Sequence, residues 1–348
     1  MRNRVVGAVV VGCLVAAPWL GAYPVFLMKL MCFALFACSL DLLLGYVGLL
    51  SFGHAAFFGG AAFIAGSAMR DHGCSPEVAL LLGTGVGAAL GLIFGLFAIR
   101  RKGIYFAMVT LAFAQMFFFF CVQAPFTGGE DGLQGVPRGR LFGVISLDSD
   151  LTLYFVVLAI TTAAFLFLGR IIHSPFGKIL TALRENEART ISLGYDVDRF
   201  KLLAFVLSSA LAGLAGAMKT LVLGFATLSD VHWTLSGTVI LMTLLGGLGT
   251  RFGPVVGAAI VVVLESKLAA FGVWLADVTH IAWFQGLGES VSLVTGVMFV
   301  GCVLLFRRGI VGECEHWMER RGPMRPRGVG RQPRHKSVRT GLTEGRGG

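Results

Sequence analysis

Hydrophobic residues in this chain fall in long uninterrupted runs rather than in short alternating segments. Uncharged stretches occupy 5–28, 42–69, 78–99, 103–129, 151–169, 202–218, 231–250 and 290–306. A helix crosses the hydrocarbon core with about 20 apolar residues, and these runs approach or exceed that length. The ten-residue alternation of a membrane β-barrel is absent. Tyr23-Pro24 divides the first apolar region, since proline starts a helix but does not continue one. The pattern predicts helices at 5–22, 25–45, 51–69, 78–99, 103–123, 151–172, 201–223, 232–248, 253–272 and 287–306. The 46–50 link reads as a short connection or as a re-entrant or broken-helix segment. The predicted fold class is all-α: a polytopic transmembrane helical bundle of about ten spans.

Composition agrees with this pattern. Of 348 residues, 56% are hydrophobic and 14% charged, with 48 glycines and 29 phenylalanines. A soluble chain carries about 25% charged residues. A soluble domain, a disordered chain and a disulfide-built secreted fold are all excluded. Most of the 29 Lys and Arg fall in alternate inter-span segments and in the tail, giving the formal charge of +10. The positive-inside rule puts those segments, and both termini, on the cytoplasmic side of the membrane. Arg2, Arg4 and the apolar run after them resemble a secretory signal. An even number of spans favours a retained first helix. Residues 1–308 form the expected transmembrane domain. Residues 309–348 read as a basic, disordered cytoplasmic tail near anionic lipid. The tail lacks the interleaved aromatic residues of a nucleic-acid binder.

Catalytic and nucleotide-binding motifs are missing from the sequence. There is no phosphate loop, no His-Glu-x-x-His, no Gly-x-Ser-x-Gly and no Cys-x-x-Cys. Gly83-Thr84-Gly85-Val86-Gly87-Ala88 fits a dinucleotide fingerprint formally, but it lies inside an apolar span with no preceding strand. Glycines 83, 87, 91 and 95 instead form a bare ridge for close helix packing, and Gly249, Gly253 and Gly257 repeat the spacing. The stretch from Gly45 to His54 has polar groups and glycines at membrane depth. It suits either a broken helix lining a path or a buried histidine that bonds a neighbouring helix.

The longest inter-span loop covers 173–201. Ser174-Pro175 is a helix start, and Phe176, Ile179, Leu180, Leu183 and Ile191 mark an apolar face. Glu185 and Arg189 stand four apart, Gly194 offers a left-handed stop, and Asp196 or Asp198 can cap the next helix. This predicts an amphipathic surface helix. It is a plain connector or a docking helix that conveys motion from a soluble partner.

Combined motifs make the chain recognisable. They are Arg184-Glu185-Asn186-Glu187, Leu193-Gly194-Tyr195-Asp196-Val197, Lys201 to Leu207 and Ala212 to Ala217. Gly45-Tyr46 with Ser51 to Phe57, Gly103 to Ala112, Thr127 to Leu133, and Leu244 to Gly249 with Gly253-Pro254 occur alongside them. In this order they resemble the branched-chain amino acid ABC transporter permeases, above all the M-type (LivM-like) subunit, over about residues 30–312. The chain departs from that pattern with Asp41 where Asn is usual and Thr238 where Glu is frequent. Trp274–Glu289 is also longer than usual.

The resemblance implies a second, H-type permease, two cytoplasmic ATPases using ATP and Mg, and a periplasmic substrate-binding protein. No cofactor is expected on this chain itself. It implies ATPase docking by Arg184, Glu185, Asn186, Glu187 and Arg189, and a translocation path past Asp41, Ser51, His54, Tyr105, Thr110 and Gln115. Thr127, Gly128, Gly129, Glu130 and Asp131 face the opposite side, where a binding protein could dock. The implied substrates are branched-chain or related amino acids, with urea or short amides as the alternative. A stand-alone secondary transporter is the competing class. Its candidate charges would be Asp41 and the pair Glu265 and Lys267, which stand only two apart and do not face each other.

Overall fold

The computed structural model describes residues 12–21, 23–279, 296, 297, 300, 301 and 309–313. Ten helices carry the described fold: α1 (Pro24–Asp41), α2 (His54–Arg70), α3 (Pro76–Ala98), α4 (Ile104–Gln123), α5 (Asp150–His173), α6 (Pro175–Glu185), α7 (Glu187–Ser192), α8 (Val197–Leu223), α9 (Trp233–Gly246) and α10 (Gly253–Thr279). Proline sits in the first turn of α1, α3 and α6, where its missing N–H removes no bond. Five segments among the described residues are long and apolar enough to cross a membrane: Pro24–Val47, Pro76–Ala98, Ile104–Gln123, Asp150–His173 and Val197–Leu223.

The centre of the bundle is α1, α2 and α8. Nearly every α2 side chain is buried, including Phe57, Phe58 and Phe63. On α1, burial is continuous from Met31 to Asp41. Helices α3, α4 and α5 lie outside this centre and present Leu81, Phe97, Met116, Phe119 and Leu166 outward. That distribution suits a lipid solvent, in which the outer face need not be polar.

The predicted glycine ridge is a packing face. Gly83, Gly87, Gly91 and Gly95 are all buried. A Cβ on Gly87 would stand 2.6 Å from the Ser209 carbonyl oxygen and 2.9 Å from Gly213 Cα on α8. The backbones of α3 and α8 therefore touch, as small-residue ridges allow. The second spacing group divides. Gly253 and Gly257 pack α10 against α9, whereas Gly249 lies in the connecting turn with φ +68° and not on a helix.

Several boundaries differ from the sequence reading. Helix α8 starts at Val197 rather than 201, because the Asp196 carboxylate caps it by accepting from Arg199 N at 3.3 Å. The surface helix expected after Ser174 is two helices, as described below. A two-stranded hairpin, β1 (Arg140–Leu141) with β2 (Ile145–Ser146), occupies the α4–α5 loop. It turns through Phe142 and Gly143 at φ +51° and +72°. Residues 309–313, where the tail was expected to begin, are helical and pack Gly309 against the Gly247 turn. Of the expected first helix, residues 12–16 are helical and Ala17–Leu20 form a 3-10 turn, with 1–11 and 22 outside the described residues. Most of the expected 287–306 span, residues 280–289 of the long Trp274–Glu289 stretch and the tail from 314 also lie outside them.

Candidate functional site

The functional geometry gathers at a break between α1 and α2. After Asp41 the chain widens into a π-helical turn, Leu42–Val47, and stops at Gly48 with φ +82°. A side chain at Gly48 would be strained by that left-handed backbone, so glycine is required. Residues 48–53 then run non-helically inside the bundle until α2 begins at His54. The 46–50 stretch is thus a break in the helical path, a π turn that runs into non-helical residues. At membrane depth, irregular backbone is tolerated only where protein or enclosed water satisfies it.

Side chains from three other elements, together with Ser51 itself, supply those partners. Phe52 N donates to Thr110 Oγ1 on α4 at 3.2 Å. Ala55 N donates to Ser236 Oγ on α9 at 2.8 Å, and Gly53 N to Ser51 Oγ at 3.2 Å. On α6, Arg184 Nη1 donates to the Gly45 carbonyl, one of the groups that the π turn leaves open. Asp41 Oδ1 accepts from Gly249 N at 2.9 Å. Gly45 is the tightest point of this meeting: a Cβ there would run into the Asp41 carboxylate and stand 2.6 Å from Gly249 N.

His54 sits at the deepest part of the break. Ser208 Oγ on α8 donates to the Ser39 carbonyl at 2.5 Å, and His54 Nε2 lies 2.7 Å from the same hydroxyl. The hydroxyl has one proton, so His54 Nε2–H must be the donor and Nδ1 the bare acceptor. Nδ1 is buried without a partner. The ring is held edge-on by Phe57 and Phe205.

Four of the path candidates, Asp41, Ser51, His54 and Thr110, are therefore brought together, all buried. The other two are not. Tyr105 is 68% exposed on the outer face of α4, and Gln115 is half-buried about three turns further along. A cleft opens beside the break between Asp41, Tyr46, Phe165, Gly169, Thr250 and Arg251. The Arg251 guanidinium carbon lies 5.8 Å from the ring centres of both Phe165 and Phe252. Among the described residues no three His, Cys, Asp or Glu side chains converge as a metal site.

The surface segment below the break is built by capping. Ser174 Oγ accepts from Gly177 N and starts α6. The expected continuous helix ends at Asn186, which has φ −158° and whose side chain accepts from Arg189 N at 3.0 Å to start α7. The break separates Glu185 from Arg189, so the anticipated i, i+4 pair does not lie on one helix. Asparagine is among the strongest N-caps, and the acidic Glu187 just after it was the legible signal. Gly194 stops α7 at φ +87° as anticipated.

Glu187 anchors this segment to the bundle. It meets Lys102 Nζ at 2.8 Å and Lys201 Nζ at 3.0 Å. Burial pushes the Glu187 carboxyl up, but hydrogen bonds and charge from the two lysines outweigh that and hold it below the ordinary glutamate range. The same contact holds the Lys102 ammonium above its ordinary range. Glu185 and Arg189 are exposed. Arg184 is exposed as well, while its Nη1 reaches the Gly45 carbonyl at the break.

At the opposite end, the docking candidates also divide. Gly128, Glu130 and Asp131 are exposed and Gly129 half-buried, but Thr127 is buried and donates to the Cys121 and Ala124 carbonyls. Sequence reasoning missed the most buried ion pair there among the described residues. Lys219 Nζ on α8 lies 2.6 Å from Asp230 Oδ2, with the lysine 4% and the aspartate 7% exposed.

Comparison with known proteins bears on these features. A family model described as "Branched-chain amino acid transport system / permease component" matches residues 25–305. The high-affinity branched-chain amino acid transport system permease protein LivM of Salmonella typhimurium is 28% identical over 264 residues, covering 69% of this chain and 62% of that protein. Its counterpart in Escherichia coli is 27% identical over the same length and coverage. The autoinducer 2 import system permease protein LsrC of Klebsiella pneumoniae is 27% identical over 197 residues, with 53% of this chain and 54% of that one covered. The chain thus spans less than two thirds of the length of these relatives. No solved structure matches it. Matched over most of its length and folded as a multi-pass membrane bundle, the chain belongs to the family of permease components of branched-chain amino acid transport systems.

Proposed function

We propose that this chain is a membrane subunit of an ATP-driven ABC importer and forms part of the path for branched-chain or related amino acids. One observation carries the reading. Arg184, in the surface segment, bonds the Gly45 carbonyl at the broken helix, so movement of that segment reaches the path directly. The chain has no phosphate loop, so ATP and Mg belong to two partner ATPases at the face of α6 and α7. Exposed Glu185 and Arg189 offer them charged contacts. That face is cytoplasmic in this reading, by the positive-inside rule. A second, H-type permease completes the membrane unit. A substrate-binding protein meets the end carrying Glu130 and Asp131. A zwitterionic amino acid needs a few placed donors and acceptors and an apolar wall, which the break with its surrounding phenylalanines supplies.

Similarity to an autoinducer 2 permease and to a ribose import permease, RbsC of Haemophilus influenzae, makes substrate identity the point to test. Uptake of labelled leucine, urea and ribose is measured in proteoliposomes holding the full complex. Leucine accumulating on ATP, and neither of the others, supports the reading. Accumulation of urea or ribose without leucine overturns the substrate class, and leucine uptake without ATP overturns the importer.

A further inference from the structure

Helix α8 carries three polar contacts on one face. Lys201 meets Glu187 of the surface segment at 3.0 Å. Ser208 bonds the Ser39 carbonyl and His54 at the broken helix. Lys219 meets Asp230 at 2.6 Å. At 3.6 residues per turn, Lys219 follows Lys201 by about five full turns and Ser208 by about three. The three side chains therefore stand in line over roughly 27 Å at 1.5 Å per residue. Much of the helix is packed against α1, α2 and α3, with the glycine ridge of α3 in close contact.

The far end of this line is tied to the opposite-end loop. Asp230 Oδ2 also accepts from Thr227 N at 2.9 Å and Thr227 Oγ1 at 3.1 Å, so the carboxylate organises the whole turn after α8. The turn pairs in antiparallel fashion with the α4–α5 loop: Leu133 N donates to the Ala226 carbonyl at 2.9 Å and Ala226 N to the Leu133 carbonyl at 2.8 Å. Val136 N adds a bond to the Gly224 carbonyl at 3.0 Å. The exposed Glu130 and Asp131 are only a few residues away. An ion pair buried at this depth costs solvation that plain packing would not, and ionisable residues inside membrane segments mark function more often than stability.

We propose that α8 is the coupling rod of the molecule, with Lys219 a positioning residue that transmits the state of the 127–136 loop to the surface segment 185–196. This rests on the importer reading, in which a binding protein meets that loop. Contact moves the loop, the 224–230 turn follows, and α8 shifts as a rigid body through the Lys219–Asp230 tie. The shift reaches Ser39 and His54 at the break and Glu187 at the other end.

The test uses the complex of this chain with its second permease, ATPases and binding protein in nanodiscs. ATP hydrolysis and hydrogen exchange at 185–196 are followed with and without leucine-loaded binding protein. In the parent complex, the loaded protein raises hydrolysis and changes exchange at 185–196. Lys219→Met loses at least tenfold of that stimulation and the exchange change, while unstimulated hydrolysis stays within twofold. Leu203→Ala, on the opposite and exposed face of α8, keeps both responses. Should Lys219→Met not assemble, Asp230→Asn carries the test, since an amide oxygen keeps the Thr227 bonds and loses only the charge pair. Parent-like stimulation and exchange in whichever variant assembles overturns the proposal. A parent complex without ATP-driven uptake removes the importer reading instead. Exchange at 185–196 unchanged between parent and Lys219→Met then overturns the rod independently.

Discussion

Arg184 and Gly45, 139 positions apart in sequence, are joined by a bond from the guanidinium Nη1 to the glycine carbonyl. It ties a surface helix to the one place where the central helix opens its backbone. A hydrogen bond to a charged group contributes about 1.5–3 kcal/mol. Arg184→Ala is expected to slow leucine uptake by at least about tenfold, corresponding to about 1.4 kcal/mol. The permease should still assemble, because one lost bond is small beside the packing of α1, α2 and α8. Initial uptake rates and assembly on a sizing column decide this. A parent-like rate counts against the tie.

Asp41 holds the neighbouring turn through Gly249 N at 2.9 Å. Asn offers the same acceptor, so Asp41→Asn is expected to keep thermal stability and uptake. Asp41→Leu strands a buried N–H, which costs about 1–3 kcal/mol, and should lower both. Loss of uptake in the Asn variant alone would assign the role to the charge. The carboxylate thus bonds the α9–α10 turn and not the 45–54 segment.

Gly87 lets the backbones of α3 and α8 touch. Overpacking by added methylenes costs about 1–3 kcal/mol, and at Gly87 the obstacle is backbone that cannot rotate away. Gly87→Leu is expected to reduce purified yield and lower Tm in detergent by several degrees. Gly85→Leu, with open space around it, should leave both unchanged. Equal behaviour of the two variants would refute a packing ridge.

Glu187 gives the surface segment a pH dependence. Its carboxyl is held below the ordinary range in the folded protein by Lys102 and Lys201. A depressed folded pKa adds stability above the unfolded value, near about 4.3 for glutamate. That stability is lost as pH falls through the folded value. Parent and Glu187→Gln should therefore differ in resistance of 185–196 to proteolysis at pH 7. The difference should vanish in acid, below the glutamate range. A difference that persists or grows in acid would contradict the pairing.

Much of the fold was readable because the helices are long, apolar and bounded by proline or glycine. Ser174, Asp196 and Gly194 acted as caps because capping is local chemistry. The 46–50 stretch was recognisable as irregular from Gly45, Gly48 and Gly53, since polar and glycine-rich sequence at membrane depth rarely continues a helix. The break at Asn186 was legible in principle from an asparagine followed by an acid, but the wider apolar spacing from Phe176 to Ile191 outvoted it. Arg184, Lys219 and Gly249 were not legible. Each acts through a partner on another element, and nothing local distinguishes an arginine that only faces outward from one that also bonds the bundle.

The measurement closest to the centre of this account follows leucine uptake and ATP hydrolysis together in the complex carrying Glu185→Lys and Glu187→Lys. Glu185 is the exposed acid of the segment, and Glu187 is its clamp to Lys102 and Lys201. The expected result is a permease that remains in the membrane with its partners while hydrolysis no longer drives uptake, the ratio of leucine moved to ATP consumed falling at least tenfold. Parent-like, substrate-stimulated uptake in the double variant would contradict a docking role for residues 174–196.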